Sequence, residues 1–262
     1  MLRVVTLNIW NLSGDWRSRR GAIVALLRRC KPDVVCLQEV IASARGNQAE
    51  WLAAELGGWS VAYAGSPPAA ATGQFGNAVL SRRPIEASAH AELPYVPDEH
   101  ELPRLAVHAR TGGVDVFSTH LAWQLHDSSL RERQVRALVD FVSERSDPAA
   151  RVGPVVAGDL NAEPDSTVVR YLCGLASLDG RSTYFQDAWR LAGDGGPGFT
   201  WSNANPHAAK DGEADKRIDY VLSGFHGPAL GGRPVECRVV GDAPVDGVWP
   251  SDHHGVLAVL QT

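Results

Sequence analysis

The stretch PVVAGDLNAEP, residues 154–164, decides the fold. Its first part, Pro154 to Ala157, is short, apolar and β-branched, and Gly158 stops it, so it reads as a buried strand. Two unlike oxygen-bearing side chains follow at the mouth of the core, the carboxylate of Asp159 and the carboxamide of Asn161. Asp and Asn also favour turns and helix N-caps for reasons that involve no chemistry. A lone D-x-N therefore says little, and the rest of the chain decides what this one means.

Working outward, the same placement recurs. Arg3 to Ile9 reads as a first strand that carries Asn8 in TLNIW, and VVCLQEV as a buried strand ending in Gln38 and Glu39. VDVFSTHL leads to His120, and SDHHG, with Asp252 and His253, precedes the last apolar run, VLAVLQ. In RIDYVL the side chain of Asp219 points away from those of Ile218, Tyr220 and Leu222, because strand residues alternate between faces. Hydrophobic spacing predicts helices over Trp16–Cys30, around Gln48–Leu56, from about Ser129 to Val142 and near Thr167–Cys173. In the third, Val135, Leu138, Val139 and Val142 form one buried stripe, and Arg131, Arg133 and Arg136 read as a solvated face. The runs WSVAYAG, GNAVLSR, ASAHAEL and LAVHAR crowd together, which suggests antiparallel pairing. Strands and helices interleave without repeats, giving an α/β chain, and ligands collect at strand ends in such architectures. The loop SPPAAATG, Ser66 to Gly73, reads as a surface loop inside one domain spanning 1–262.

Bulk properties narrow the partners. With 262 residues, 44% hydrophobic and 21% charged, the chain is long enough for one large core and has the composition of an ordinary globular protein. A net charge of −5 supplies no global basic field to collect polyanions. The start, MLRVVTLNIW, lacks the apolar segment and cleavage site of a signal peptide, and no run approaches the length of a membrane span. Cys30, Cys36, Cys173 and Cys237 form no CxxC pair, so free thiols in a reducing compartment, and a cytoplasmic protein, are expected.

The polar clusters share a chemistry. Asn8, Glu39, Asp159, Asn161 and Asp252 offer hard oxygen ligands, which suit Mg²⁺ or Mn²⁺ rather than zinc. A divalent ion on one or two carboxylates keeps positions open for a phosphate oxygen, which points to phosphoryl chemistry. His120 and His253 complete the set, since a histidine held by a carboxylate such as Asp219 is ready to donate to a phosphate or exchange a proton.

In this order and spacing, LN, QE, GNAVLSR, THL, GDLNAEP, FTW, RIDYVL and SDHHG cover nearly the whole chain and resemble the endonuclease/exonuclease/phosphatase superfamily, the deoxyribonuclease I-like proteins. The resemblance implies a four-layer α/β/β/α sandwich, two mixed sheets face to face with helices outside, and metal-dependent cleavage of a phosphoester. It assigns Glu39 as principal metal ligand with Asn8 near the metal, and Asp252 as binding or orienting the metal site. Asp159 would orient or deprotonate the attacking water, Asn161 would hydrogen-bond the scissile phosphate, and His253, held by Asp219, would contact it. His120 matches the THL histidine of the deoxyribonuclease and sphingomyelinase branches. Asn77 and Arg104 also sit in family-like contexts, Arg104 being either a phosphate contact or a buried structural arginine.

The substrate is less legible. Trp10, Trp123 and Trp201 adjoin the motifs, and Trp123 is either the wall of a substrate pocket or part of the packing. The chain has few lysines, with Lys210 and Lys216 in the loop AKDGEADKR; that loop and HDSSLRER are where specificity is expected. The leading expectation is a Mg²⁺- or Mn²⁺-dependent phosphodiesterase on nucleic acid or a small phosphodiester. A phosphomonoesterase on a sugar, inositol or lipid phosphate and a non-catalytic phosphate-binding module are the alternatives. No protein partner can be read from the residues.

Overall fold

The computed structural model describes residues 1–66, 73–97, 102–225 and 231–262. Along these run β1 (Leu2–Asn8), α1 (Trp16–Cys30), β2 (Val34–Ser43), β3 (Gly46–Asn47), α2 (Gln48–Glu55), β4 (Ser60–Gly65), β5 (Gln74–Ser81), β6 (Ile85–Glu92), β7 (Leu105–Thr111) and β8 (Val114–His120). There follow α3 (Ser128–Arg145), β9 (Val155–Asp159), α4 (Thr167–Leu172), β10 (Phe185–Asp187), α5 (Ala188–Ala192), α6 (Pro206–Ala209), β11 (Asp219–Gly224), β12 (Pro234–Val240) and β13 (Gly255–Leu260). Most of the loop read at Ser66–Gly73 lies outside the described residues.

One sheet has the order β12-β13-β1-β2-β5-β4 with β3 added on β2, and the other the order β10-β11-β9-β8-β7-β6. Both are mixed: β1 and β2 are parallel, as are β8 and β9, while their outer neighbours are antiparallel. A parallel pair needs a crossover, and α1 and α3 supply the two. The Asp15 side chain caps α1 by accepting from the backbone N–H of Arg17 and Ser18, and Lys31 ends the helix in the left-handed region.

Three apolar layers hold the sandwich together. Ile23, Leu27, Leu37 and Leu52 seal α1 and α2 onto the outer face of the first sheet. Val4, Cys36, Val107, Val116 and Val256 fill the space between the sheets. Phe117, Leu138, Tyr171 and Tyr220 seat α3 and α4 on the outer face of the second. Fully burying one such side chain contributes about 1.5–3 kcal/mol. The result is the four-layer α/β/β/α sandwich. All four cysteines are free and buried, and no helix among the described residues is long and apolar enough to cross a membrane.

Two expectations need correction. β2 does not end at Gln38 and Glu39: it runs on to Ser43 through a bulge, where its register against β5 slips between Leu37 and Val40. Glu39 occupies that bulge at φ 57°, so the irregularity re-aims its side chain. Arg131 is not on a solvated face: it is buried and donates to the carbonyls of Ala122, Gln124 and Leu125.

Candidate active site

Strand register assembles the site. His120 pairs with Asp159 across β8 and β9, and Asp159 with Asp219 across β9 and β11, so the three stand side by side at one end of the second sheet. Glycine is required at this junction, because Gly158 has φ 155° and a Cβ there would lie 1.9 Å from the Thr119 carbonyl oxygen. The Thr200 hydroxyl accepts from the backbone N–H of both Ile218 and Asp219, fixing the start of β11. In the first sheet Asn8 closes β1 beside Gln38, and Asp252 and His253 lie just ahead of β13. The Ser251 hydroxyl ties that turn to the Asn8 carbonyl at 2.7 Å. Both sheets thus deliver their polar ends to one cleft of about 990 Å³.

On its floor, His253 Nδ1 lies 3.0 Å from Asp219 Oδ2, while its Nε2 is 3.7 Å from Asp159 Oδ2. The same Asp159 oxygen is 3.4 Å from His120 Nε2 and accepts from Asn8 Nδ2 at 3.1 Å. Asn8 Nδ2 also donates to Glu39 Oε1, and Asn11 Nδ2 donates to Glu39 Oε2 at 2.7 Å. The Asn8 side-chain Oδ1 accepts from the Trp10 N–H, which turns its Nδ2 toward the two carboxylates. Asn161 donates its backbone N–H to Asp159 Oδ1, and its Nδ2 to the Leu121 carbonyl and to His120 Nε2. With both amide hydrogens used inside the protein, Asn161 has only its carbonyl oxygen to offer a ligand.

The charges are poised unequally. Burial pushes the Asp159 carboxyl up, and the charge of Asp219 adds to it. Burial also raises Asp252 to about 6, with the charge of Glu39 contributing. Burial by itself pulls His253 down, but Asp219 and Asp159 together outweigh it and hold the ring well above the ordinary histidine range. His120 goes the other way, lowered by burial and then by the charges of Arg104 and His253. The floor therefore pairs a cationic His253 with a neutral His120 on either side of Asp159.

Of the sequence candidates, Glu39, Arg104, His120, Trp123, Asp159, Asn161, Asp252 and His253 line the cleft, while Asn8 and Asp219 hold lining residues from behind. Asn77 is not part of the lining: it is buried, and its Nδ2 donates to the Leu105 carbonyl, bridging β5 and β7 of opposite sheets. Arg104 is buried against the Phe75 ring, and Trp123 is 48% exposed. Of the two segments expected to carry specificity, HDSSLRER reaches the cleft through Ser128, Arg131 and Glu132 on the first turns of α3, as helix rather than loop, and AKDGEADKR reaches it through Asp211, Glu213 and Lys216. The sequence reading missed Asn11 and Arg19. Arg19 is buried and donates to the carbonyls of Ile9, Trp10, Asn11, Ser13 and Pro250, shaping the segment that carries Trp10 and Asn11. That segment is strained: Trp10, Asn11, Glu39 and Asn161 all have positive φ and all line the cleft.

The sequence profile of the endonuclease/exonuclease/phosphatase family matches residues 5–253. The chain belongs to this family. Its structure is similar to that of an endonuclease/exonuclease/phosphatase from Beutenbergia cavernae DSM 12333, at 27% identity over 98% of this chain and 70% of that one, with TM-score 0.70. D. rerio TDP2 complexed with single strand DNA product matches at 20% identity over 100% and 99% of the two chains, with TM-score 0.75. The human Nocturnin catalytic domain with bound sulfate anion matches at 20% identity over 98% and 93%, with TM-score 0.70. No curated protein matches in sequence. Membership of the endonuclease/exonuclease/phosphatase family supports a phosphoester hydrolase of the nuclease or phosphatase type.

The family is metal-dependent, and the donor set here fits a divalent cation. Glu39 and Asp252 face the same cleft and feel one another's charge, a repulsion that a bound cation relieves. Deeper, Asp159 and Asp219 bring carboxylate oxygens within 4.8 Å of one another, and Asp219 Oδ1 is buried with no hydrogen-bond partner among the described residues.

Proposed function

We propose that this chain is a Mg²⁺- or Mn²⁺-dependent phosphodiesterase that hydrolyses its substrate by in-line attack of water. The observation that carries the reading is Asp159 on the cleft floor between His120 and His253, with Asp219 behind His253. Glu39 and Asp252 would hold the cation, and Asn8 would position Glu39 against Asp159. When bound, a divalent ion supplies a Lewis acid for the phosphate oxygens.

The protein's own groups divide the remaining work. Asp159, its proton affinity raised by burial and by Asp219, suits the role of base toward the attacking water. His253 brings a fixed positive charge to the phosphate, and Asp219 keeps its ring in one orientation. Asn161 orients the attacking water through its carbonyl oxygen, and neutral His120 accepts from its Nδ2 and so sets that amide's position. Arg104 is the candidate phosphate contact, and Trp123 a wall for the substituent. The reading takes residues 1–262 as one catalytic domain, supported by β1 pairing with β13 from the opposite end of the sequence.

The test is hydrolysis of bis-p-nitrophenyl phosphate against p-nitrophenyl phosphate with Mg²⁺, with the Asp159→Ala protein as control. Diester preference, lost in Asp159→Ala, is expected. Monoester preference replaces the reading with a phosphomonoesterase, and inertness toward both with a phosphate-binding module. The DNA product on TDP2 makes nucleic acid one candidate substrate and a small phosphodiester the other.

A further inference from the structure

The walls of the cleft differ from its floor in charge. Glu132, Glu163, Asp165 and Asp211 stand on the lining without a cationic partner among the described residues. The lining carries fewer cations, Arg104, Arg131 and Lys216. Arg131 is turned onto the carbonyls of Ala122, Gln124 and Leu125, and Lys216 is ion-paired with Glu213. Arg104 is buried at the floor, where its charge reaches His120. Carboxylates thus outnumber cations on the lining, and the exposed Lys210 over Trp10 adds one positive charge beside it.

The remaining wall is aromatic. Trp10 is held at φ 54° among the Arg19 guanidinium at 5.0 Å, the Lys210 ammonium at 4.6 Å and the His207 ring at 4.8 Å. Trp201 sets its ring edge-on to His253 at 5.0 Å, and Phe75 and the exposed Trp123 complete the wall. Such surfaces hold flat or apolar groups without requiring further charge.

Resting on the phosphodiesterase reading, we infer that the site selects small phosphodiesters carrying a single negative charge and a flat or apolar substituent, and rejects polynucleotides. A polynucleotide brings a phosphate with every nucleotide, and proteins that bind it track the backbone with lysine and arginine. Here the phosphates flanking the scissile one would face the lining carboxylates, whose repulsion reaches about 8 Å at ordinary salt.

The experiment compares kcat/KM for bis-p-nitrophenyl phosphate and for a single-stranded oligodeoxynucleotide, at low and high salt, in the wild type and in a Glu132→Gln, Glu163→Gln, Asp165→Asn variant. The wild type is expected to favour the small diester by about 100-fold or more. Salt should raise its activity on the oligonucleotide by screening repulsion, and the variant should raise the oligonucleotide-to-diester ratio about tenfold. Preference for the oligonucleotide, a fall in its cleavage with salt, or a ratio indifferent to the three substitutions overturns the inference. Hydrolysis of the small diester in the same samples keeps the phosphodiesterase reading standing whichever way the oligonucleotide falls.

Discussion

Among the described residues, two buried histidine–aspartate pairs are hydrogen-bonded through a ring nitrogen, and only one of them faces the cleft. His253 and Asp219 are 3.0 Å apart, His108 and Asp115 2.8 Å, and all four side chains are less than a tenth exposed. What surrounds them differs. Asp115 also accepts from Arg110 and from the Asp147 backbone N–H, and His108 stacks on Phe117. Burial pushes Asp115 up, but those hydrogen bonds and the Arg110 charge prevail and hold it low. At the other pair the neighbour is a second carboxylate, Asp159, which is raised, and Asp219 Oδ1 has no hydrogen-bond partner among the described residues. A saturated pair is a structural joint; an unsaturated one beside an opening is a place for chemistry.

The sharpest way to break this comparison is to remove the metal. Chelation with EDTA is expected to abolish turnover, with Mg²⁺ or Mn²⁺ restoring it; full activity in a thoroughly chelated sample would remove the basis for treating Glu39 and Asp252 as ligands. Next, His253→Ala should lower kcat roughly a thousandfold with the fold intact by circular dichroism, while His108→Ala should leave kcat per folded molecule within about twofold. Equal losses in the two variants would erase the distinction between the pairs. At the closed pair, Asp115→Asn should cost about 2 kcal/mol in urea unfolding at neutral pH. Because the folded Asp115 is lowered, its contribution is complete above the ordinary aspartate range and is lost as pH falls through its folded value, so the deficit should shrink in acid. A deficit that grows on acidification contradicts that sign. The smallest effect belongs to the rim: Trp123→Ala should raise KM for aromatic diesters about threefold to tenfold and leave kcat alone.

The sequence revealed the cleft pair better than the closed one, for a physical reason. Asp159, Asp219 and His253 interrupt or border apolar strands, and a polar residue at a strand end is visible locally. His108 lies within a strand whose partner, Asp115, is set by pairing between β7 and β8. The Glu39 bulge escaped notice because it is a slip against β5, a property of two strands and not of one. Arg19 and Arg131 were legible after all. Each heads an apolar stripe at helical spacing, Arg19 with Ile23, Leu26 and Cys30, and Arg131 with Val135, Leu138 and Val142. An arginine on a buried stripe has to find acceptors, and both found backbone carbonyls beside the cleft. Asn77 shows the converse, since a family-like context placed it near substrate and its amide instead spans the two sheets.

The pairing of β1 with β13 also has a meaning for biosynthesis. β1 sits in the middle of its sheet, and its antiparallel neighbour, Gly255–Leu260, follows every other strand of the described residues in chain order. Asp252 and His253 arrive with that neighbour, so a nascent chain can pack most of its second sheet and still hold no complete cleft. Assembly of the cleft is thus deferred until β13 has been made, and chains released before residue 252 would lack both groups.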